Sequence, residues 1–295
     1  MESLRMKVSI DKISLIHTIT DIEHYKTIIT YMHVFKSEYT GKGKYYWKTE
    51  YCTKVNVKLD EQCYLHIVAG ITHGQLYARF EFNVAKLSKD GWEELYLIFV
   101  HLFEDGYKTA YENLRVDYME IAVDFKGIEF SQINVIDNRV KEFNEDKKSD
   151  GSIYYGAKKS KRGFIIYDKA KQLMDDQNLI LGYPLLRVES RLRLPKIKVK
   201  DMAGIKNPFL PLRIFDVSKN PTNASGPLWK KYRNLVETEG LDAQAAYLLF
   251  NPIERQALDL RIALRRHEWW EPKKAWELAI KEFATLTPQN DIYTV

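Results

Sequence analysis

The chain has 295 residues, 45% of them hydrophobic, and carries 45 Lys plus Arg against 40 Asp plus Glu for a net charge of +5. That is apolar material for one large domain or two moderate ones, which excludes a disordered tail. Two cysteines, with no CxxC and no His/Cys cluster at zinc spacing, exclude a disulfide framework and a structural zinc site. MESLRMKVSIDK lacks the apolar core of a signal peptide, and no run reaches membrane-spanning length, so the expectation is a cytoplasmic protein with no membrane partner.

The first region begins with a strand, KVSI, and a helix around DIEHYKTIITYMHVF. Three β-type runs follow, KVNVKL, YLHIVAG and LYARFEFN, the last alternating with period two. SKDGWEELYLIFVHLFEDG predicts a helix. Asp90 and Glu93 have capping-box spacing, Trp92, Leu95, Tyr96, Phe99 and Phe103 supply an apolar stripe, and Gly106 suits a C-terminal cap.

The second region opens with the strand YMEIAVDF, passes through a helix-like SQINVIDNRVKEF and a polar loop NEDKKSDG, and continues with three strands, SIYYGAK, GFIIYDK and LLRVESRLRL. YARFEFNVAKL and LRVESRLRLPKI share a charged R-x-E core, a quasi-repeat. The pattern predicts an α+β fold with two related, mostly antiparallel sheets, separate or joined into one curved layer, and flanking helices. After Lys200 the texture becomes loop-like and proline-containing through NPTNASGP. Helices are then expected at Pro227 (closed by Gly240), at Asn251–Pro252 and at Pro272. The expected organisation is an α+β core over 1–200, with β-rich halves 1–110 and 111–200, a connector over 201–225 and a helical region over 226–295.

Charge is locally concentrated. Lys158, Lys159, Lys161, Arg162, Lys169 and Lys171 face one acid, Asp168, and Arg187, Arg191, Arg193, Lys196, Lys198 and Lys200 face Glu189 alone. Such runs suit polyphosphate binding, and they equally suit a solvated face.

Strand alternation supplies the chemistry. In YMEIAVDF, Met119, Ile121, Val123 and Phe125 share one face, and Glu120, Ala122 and Asp124 the other. In LLRVESRLRL, Arg187, Glu189, Arg191 and Arg193 share a face. In GFIIYDK, Ile165, Tyr167 and Lys169 do. Were these strands neighbours at ~4.8 Å, their faces would gather Glu120, Asp124, Glu189, Tyr167, Lys169 and arginines. Carboxylates that hold Mg²⁺ or Mn²⁺ beside a phenol fit metal-assisted phosphoryl transfer. Glu120 and Asp124 lie roughly 13 Å apart along an extended strand, so one of them is expected outside the first coordination shell. Asp117 has the opposite parity. For any single acid the plainer reading is a salt bridge to a strand arginine.

The order YMEIAVDF, IYYGAKKSKRGFIIYDKAKQ, LLRVESRLR resembles the rolling-circle replication initiators of small plasmids and filamentous phage, the Rep-trans type in particular. There an acidic strand precedes a YxGxxxS strand, an I/F-Y-x-K strand and an R-x-E strand. The resemblance covers about residues 115–195, with a weaker match in RFEFNVAKLS. It implies a site-specific DNA nicking and closing endonuclease with a 5′-phosphotyrosine intermediate. Tyr167 would be the nucleophile with Lys169 beside it, and Glu120, Asp124 and Glu189 would hold Mg²⁺ or Mn²⁺. It also implies DNA as partner, both the double-stranded origin and a single-stranded nick site, together with a homodimer and a host helicase or polymerase. The chain departs from the paired-histidine initiators, since His66 has no partner two residues away, and Glu120 stands where Asp is more familiar.

Other features divide between two readings. Adjacent Tyr154 and Tyr155 must point to opposite faces, so one of them is core. AKKSKRG grips DNA phosphates or is a soluble hairpin. Trp229, Lys230, Lys231, Tyr232 and Arg233, with Arg261, Arg265, Arg266 and His267, form basic helices that read a groove, whereas Trp269, Trp270 and Trp276 point to packing against the body. The competing function is a non-catalytic origin-binding or replication-partner-recruiting protein. A tyrosine recombinase is disfavoured, because its Arg and His-x-x-Arg pattern before a C-terminal tyrosine is missing.

Overall fold

The computed structural model describes residues 6–39, 46–48, 52–103, 112–140, 152–156, 160–219 and 226–286. Period-two segments become strands β1 (Met6–Ile19), β2 (Tyr46–Lys48), β3 (Cys52–Lys58), β4 (Tyr64–Thr72), β5 (Gln75–Phe82), β6 (Arg115–Lys126), β7 (Asn134–Asp137), β8 (Ile153–Tyr155), β9 (Arg162–Asp168), β10 (Leu185–Lys198) and β11 (Leu212–Phe215). Nine of them form one sheet in the order β2-β3-β4-β5-β1-β6-β10-β9-β8, and β7 pairs antiparallel with β11. The helices are α1 (Ile22–Tyr39), α2 (Lys89–Leu102), α3 (Lys169–Gln177), α4 (Pro227–Glu237), α5 (Ala243–Leu248), α6 (Pro252–Ala263) and α7 (Pro272–Thr285). The fold is α+β, as the sequence predicts.

The chain divides into two compact units, each assembled from three chain segments. Unit I comprises Ser9–Ile121, Arg191–Lys206 and Ala279–Val295. Its β4–β5 hairpin turns through His73 and Gly74, both with positive φ (48° and 75°), the twist a two-residue turn needs to bring Thr72 opposite Gln75. Behind β5, Phe80 meets Phe99 of α2 edge-on at 5.1 Å. Of the expected stripe, Leu95, Phe99 and Phe103 are buried while Trp92 and Tyr96 are half-buried, and Ile98 and Leu102 complete the buried face. The helix starts two residues earlier than the capping-box expectation of Asp90: Ser88 is the N-cap and its hydroxyl accepts from the Gly91 N–H at 3.0 Å. Gly106 lies outside the described residues.

Unit II comprises Met1–Val8, Ala122–Ser190 and Asn207–Leu278. Phe125 packs on Trp269 and Trp270 (4.7 and 5.8 Å between centroids), Trp270 on Phe209, and Phe209 on Phe164. A second cluster joins Ile136, Phe215, Trp229, Tyr232, Tyr247, Phe250, Leu258 and Ile262. Where SQINVIDNRVKEF suggests a helix, the chain instead makes a short 3-10 turn (Phe130–Gln132) and strand β7. The reason is tertiary. Val135 and Ile136 are β-branched and fully buried, β11 supplies a ladder, and Gln244 Oε1 accepts from Asp137 N–H at 2.9 Å. Residues 141–143 of that segment lie outside the described residues.

The C-terminal helices begin where the prolines place them. Pro227 starts α4 and Pro272 starts α7, while Asn251 and Glu254 form a full capping box at α6. Trp229, Tyr232, Trp270 and Trp276 are buried, in keeping with the packing reading of this region. Arg265 is buried as well, its guanidinium 3.7 Å over the Trp229 ring.

Candidate functional site

Within unit II the sheet face of Tyr167 follows from its core neighbours. Phe164 and Phe125 reach the same Phe209–Trp270 cluster, so they share a face. Tyr167, three residues from Phe164, and Asp124, next to Phe125, therefore look to the opposite face. Tyr167 is half-buried and sits one residue before the end of β9. The expectation that Lys169 continues the strand is corrected. The strand stops at Asp168, whose carboxylate caps α3 by accepting from Lys171 N–H at 3.0 Å. Lys169 is thus the first helical residue. Its ammonium nevertheless stays near the phenol, 5.9 Å from the Tyr167 ring centroid, and donates to Gln172 at 2.8 Å.

On β6 and β10, Asp124 and Arg187 form a bidentate ion pair: Nε to Oδ1 at 2.6 Å and Nη2 to Oδ2 at 2.7 Å. Both side chains are largely shielded, 17% and 11% exposed. Parallel forks of this kind are strong and directional, and removing one partner of a shielded pair costs about 3 kcal/mol. Glu189 lies two residues along β10 from Arg187 on the same face, about 6.8 Å by strand rise, and is only 6% exposed. Alternation alone expects Val188 and Ser190 to be covered; Glu189 is a buried acid among them.

Within unit I, Glu120 accepts a short hydrogen bond from the Tyr118 hydroxyl, and Arg191 Nε lies 3.4 Å from its Oε1. Arg193 covers the Tyr118 ring at 5.5 Å. Tyr118 was not singled out in the sequence, although its parity matches Glu120 and Asp124. Asp117, excluded by parity, pairs with Arg79 of β5 at 2.6 Å. The second R-x-E strand is also an ion-pair strand, since Glu81 meets Lys12 of β1 at 2.6 Å. His66 is bonded through Nδ1 to Asn56 at 2.7 Å.

The basic turn is only partly described. Lys158 and Lys159 lie outside the described residues, whereas Lys161 and Arg162 are exposed where β9 begins. The Y-x-G-x-x-x-S pattern has a structural cause here. Gly156 has φ +86°, and a Cβ on it would fall 2.7 Å from both the Arg162 carbonyl and Ser160 Oγ, while Ser160 donates to that carbonyl at 2.7 Å. Tyr155 is the core phenol of the adjacent pair. It is 5% exposed and donates to the Val135 carbonyl at 2.8 Å, and burial, followed by Asp242 and Asp137, pushes its ionisation well above the ordinary range.

A divalent metal does not fit the acids as they are arranged. Both Asp124 oxygens are taken by Arg187, Glu120 is engaged by Tyr118 and Arg191, and among the described residues no group of three or more His, Cys, Asp or Glu side chains could hold a metal ion. Among the described residues no helix is long and apolar enough to cross a membrane. Comparison of the chain with protein-family models finds no match, and comparison with curated proteins finds none.

Proposed function

We propose that this chain is a rolling-circle replication initiator that nicks and rejoins DNA through Tyr167. One observation carries the reading: the half-buried Tyr167 phenol has the Lys169 ammonium near its ring and shares its sheet face with the Asp124–Arg187 pair. In the proposed step Tyr167 Oη bonds to phosphorus and the P–O3′ bond breaks. The phenolic proton passes to a base, and the departing 3′-oxygen takes up a proton. The products are a 5′-phosphotyrosyl protein and a free 3′-OH that can prime a polymerase, and the reverse transfer rejoins the strand. A phenol of ordinary pKa near 10 needs help to attack at neutral pH, and cations held beside it supply part of that help by offsetting phosphoryl charge.

A second reading, an origin-binding protein without strand chemistry, is favoured by the ion-paired state of Asp124 and Glu120. The two readings separate on a denaturing gel. Wild type and Tyr167→Phe are incubated with labelled single-stranded origin fragments and Mn²⁺, the metal that the resemblance implies. The expected result is a covalent adduct with wild type only, with DNA binding equal in both proteins. Binding without any adduct from wild type would leave the second reading in place.

A further inference from the structure

Helix α6 is apolar on two faces. Leu258 and Ile262 are buried in the second cluster of unit II. On the other side Ile253, Leu260 and Leu264 are 81%, 71% and 60% exposed, and Leu249, the C-cap of α5 just before it, is 66% exposed. At 3.6 residues per turn, Ile253, Ala257, Leu260 and Leu264 fall in one stripe, spaced by four, three and four residues, the spacing of a coiled-coil seam. We infer that this stripe is a homodimer interface, in which α6 packs antiparallel on α6 of a second copy of the chain. The inference stands apart from the DNA reading above, since it uses none of the residues around Tyr167.

Three features of the stripe select a second copy as its occupant. The first is self-complementarity. A two-fold axis through the middle of the stripe sets Ile253 against the partner's Leu264 and Ala257 against the partner's Leu260, so the small central residue admits the large one and both helices meet along their whole apolar seam. The second is charge. Glu254 and Arg261 flank the seam on one edge, seven residues apart, and the antiparallel two-fold brings Glu254 beside the partner's Arg261 twice over, whereas a parallel pairing sets Arg261 beside the partner's Gln256. The complementarity is one of sign: Glu254 keeps its capping bond from Asn251 N–H and Arg261 keeps its place against Gly226, so no donor or acceptor has to be released. The third is area. An exposed apolar patch of a few hundred Å² is large for a monomer, and two copies of it together bury roughly 1,000 Å², the lower end of specific interfaces, which places the association in the micromolar range.

Sedimentation equilibrium of the full chain over a concentration series, without DNA, tests the interface, with denaturant unfolding of every variant as the control on folding. Wild type is expected to pass from monomer to dimer across the micromolar range. Leu260→Glu changes a side chain that is exposed in the single chain, so it should keep the unfolding midpoint. It should weaken association at least about a hundredfold, because the two-fold places the change twice in one interface. Glu254→Arg and Arg261→Glu should each weaken self-association, through like charges across the axis. An equal mixture of these two variants should form a heterodimer tighter than either homodimer, since both of its cross-pairs are then opposite in sign. The mixture also separates the interface from damage to the α6 cap, because a helix weakened by its own substitution is not repaired by a different charge on a second chain. A wild type that stays monomeric, a Leu260→Glu variant that associates as well as wild type, or a mixture no tighter than its components overturns the inference. None of these results bears on strand nicking by Tyr167.

Discussion

At the scale of single residues, the tyrosines of GSIYYGAKKSKRGFIIYDKAKQ separate by burial. Tyr155→Phe removes the bond to the Val135 carbonyl and should destabilise the protein by about 1 kcal/mol. It should leave any covalent DNA adduct intact, the opposite of Tyr167→Phe, and urea unfolding beside the gel assay separates the two. Gly156→Ala should be more damaging, since the new methyl meets backbone at 2.7 Å in a left-handed conformation. A third residue-scale effect concerns pH. His17 lies 5.4 Å from the His24 ring and 5.3 Å from Phe103, and burial, with a smaller contribution from His24, lowers its pKa to about 4. Its folded form therefore binds fewer protons than the unfolded chain between about 6.5 and about 4. That contribution to stability is complete above the upper value and is lost as pH falls through the window. Half-buried His66 and His267, whose pKa values are also lowered chiefly by burial, act in the same direction. His17→Gln should flatten the fall of the urea midpoint over that range without abolishing it.

At the scale of elements, sequence legibility tracks how local the cause is. Alternation in YMEIAVDF and LLRVESRLRL gave the faces of β6 and β10 correctly, because a pleat fixes side-chain direction residue by residue. Proline at the first turn located the starts of α4, α6 and α7. β7 was hidden, because its partner β11 lies more than seventy residues away and the buried amide of Gln244 completes it. Lys169 was misplaced for the converse reason: one capping carboxylate, Asp168, ends the strand and begins α3. The acids and arginines of the site could be enumerated from sequence, yet the pairing of Asp124 with Arg187 depends on which strands adjoin, which parity does not contain. Caps carry measurable energy. Asn251→Ala removes the side-chain half of the α6 capping box, leaving the backbone bond to Glu254, and should cost about 1 kcal/mol in thermal or urea unfolding.

At the scale of the molecule, neither compact unit is a continuous stretch of chain. Unit II needs residues from 122–190 and from 207–278, since Phe125 and Phe164 pack on Trp270 and Phe209. A chain ended after Lys206 should therefore lose cooperative unfolding and become protease-sensitive well inside β9, whereas a division at residue 200 into a self-sufficient core and a helical tail predicts that it would survive. The interleaving also bears on biosynthesis. Domains of many proteins can close one after another as the ribosome delivers them, but here unit II waits for residues up to 278 and unit I for residues 191–206 and then for the segment that begins at Ala279. For most of its translation time the nascent chain holds unmatched strands, including the apolar face of β6, so its yield in the cell should depend on holdase chaperones more than its finished stability would suggest.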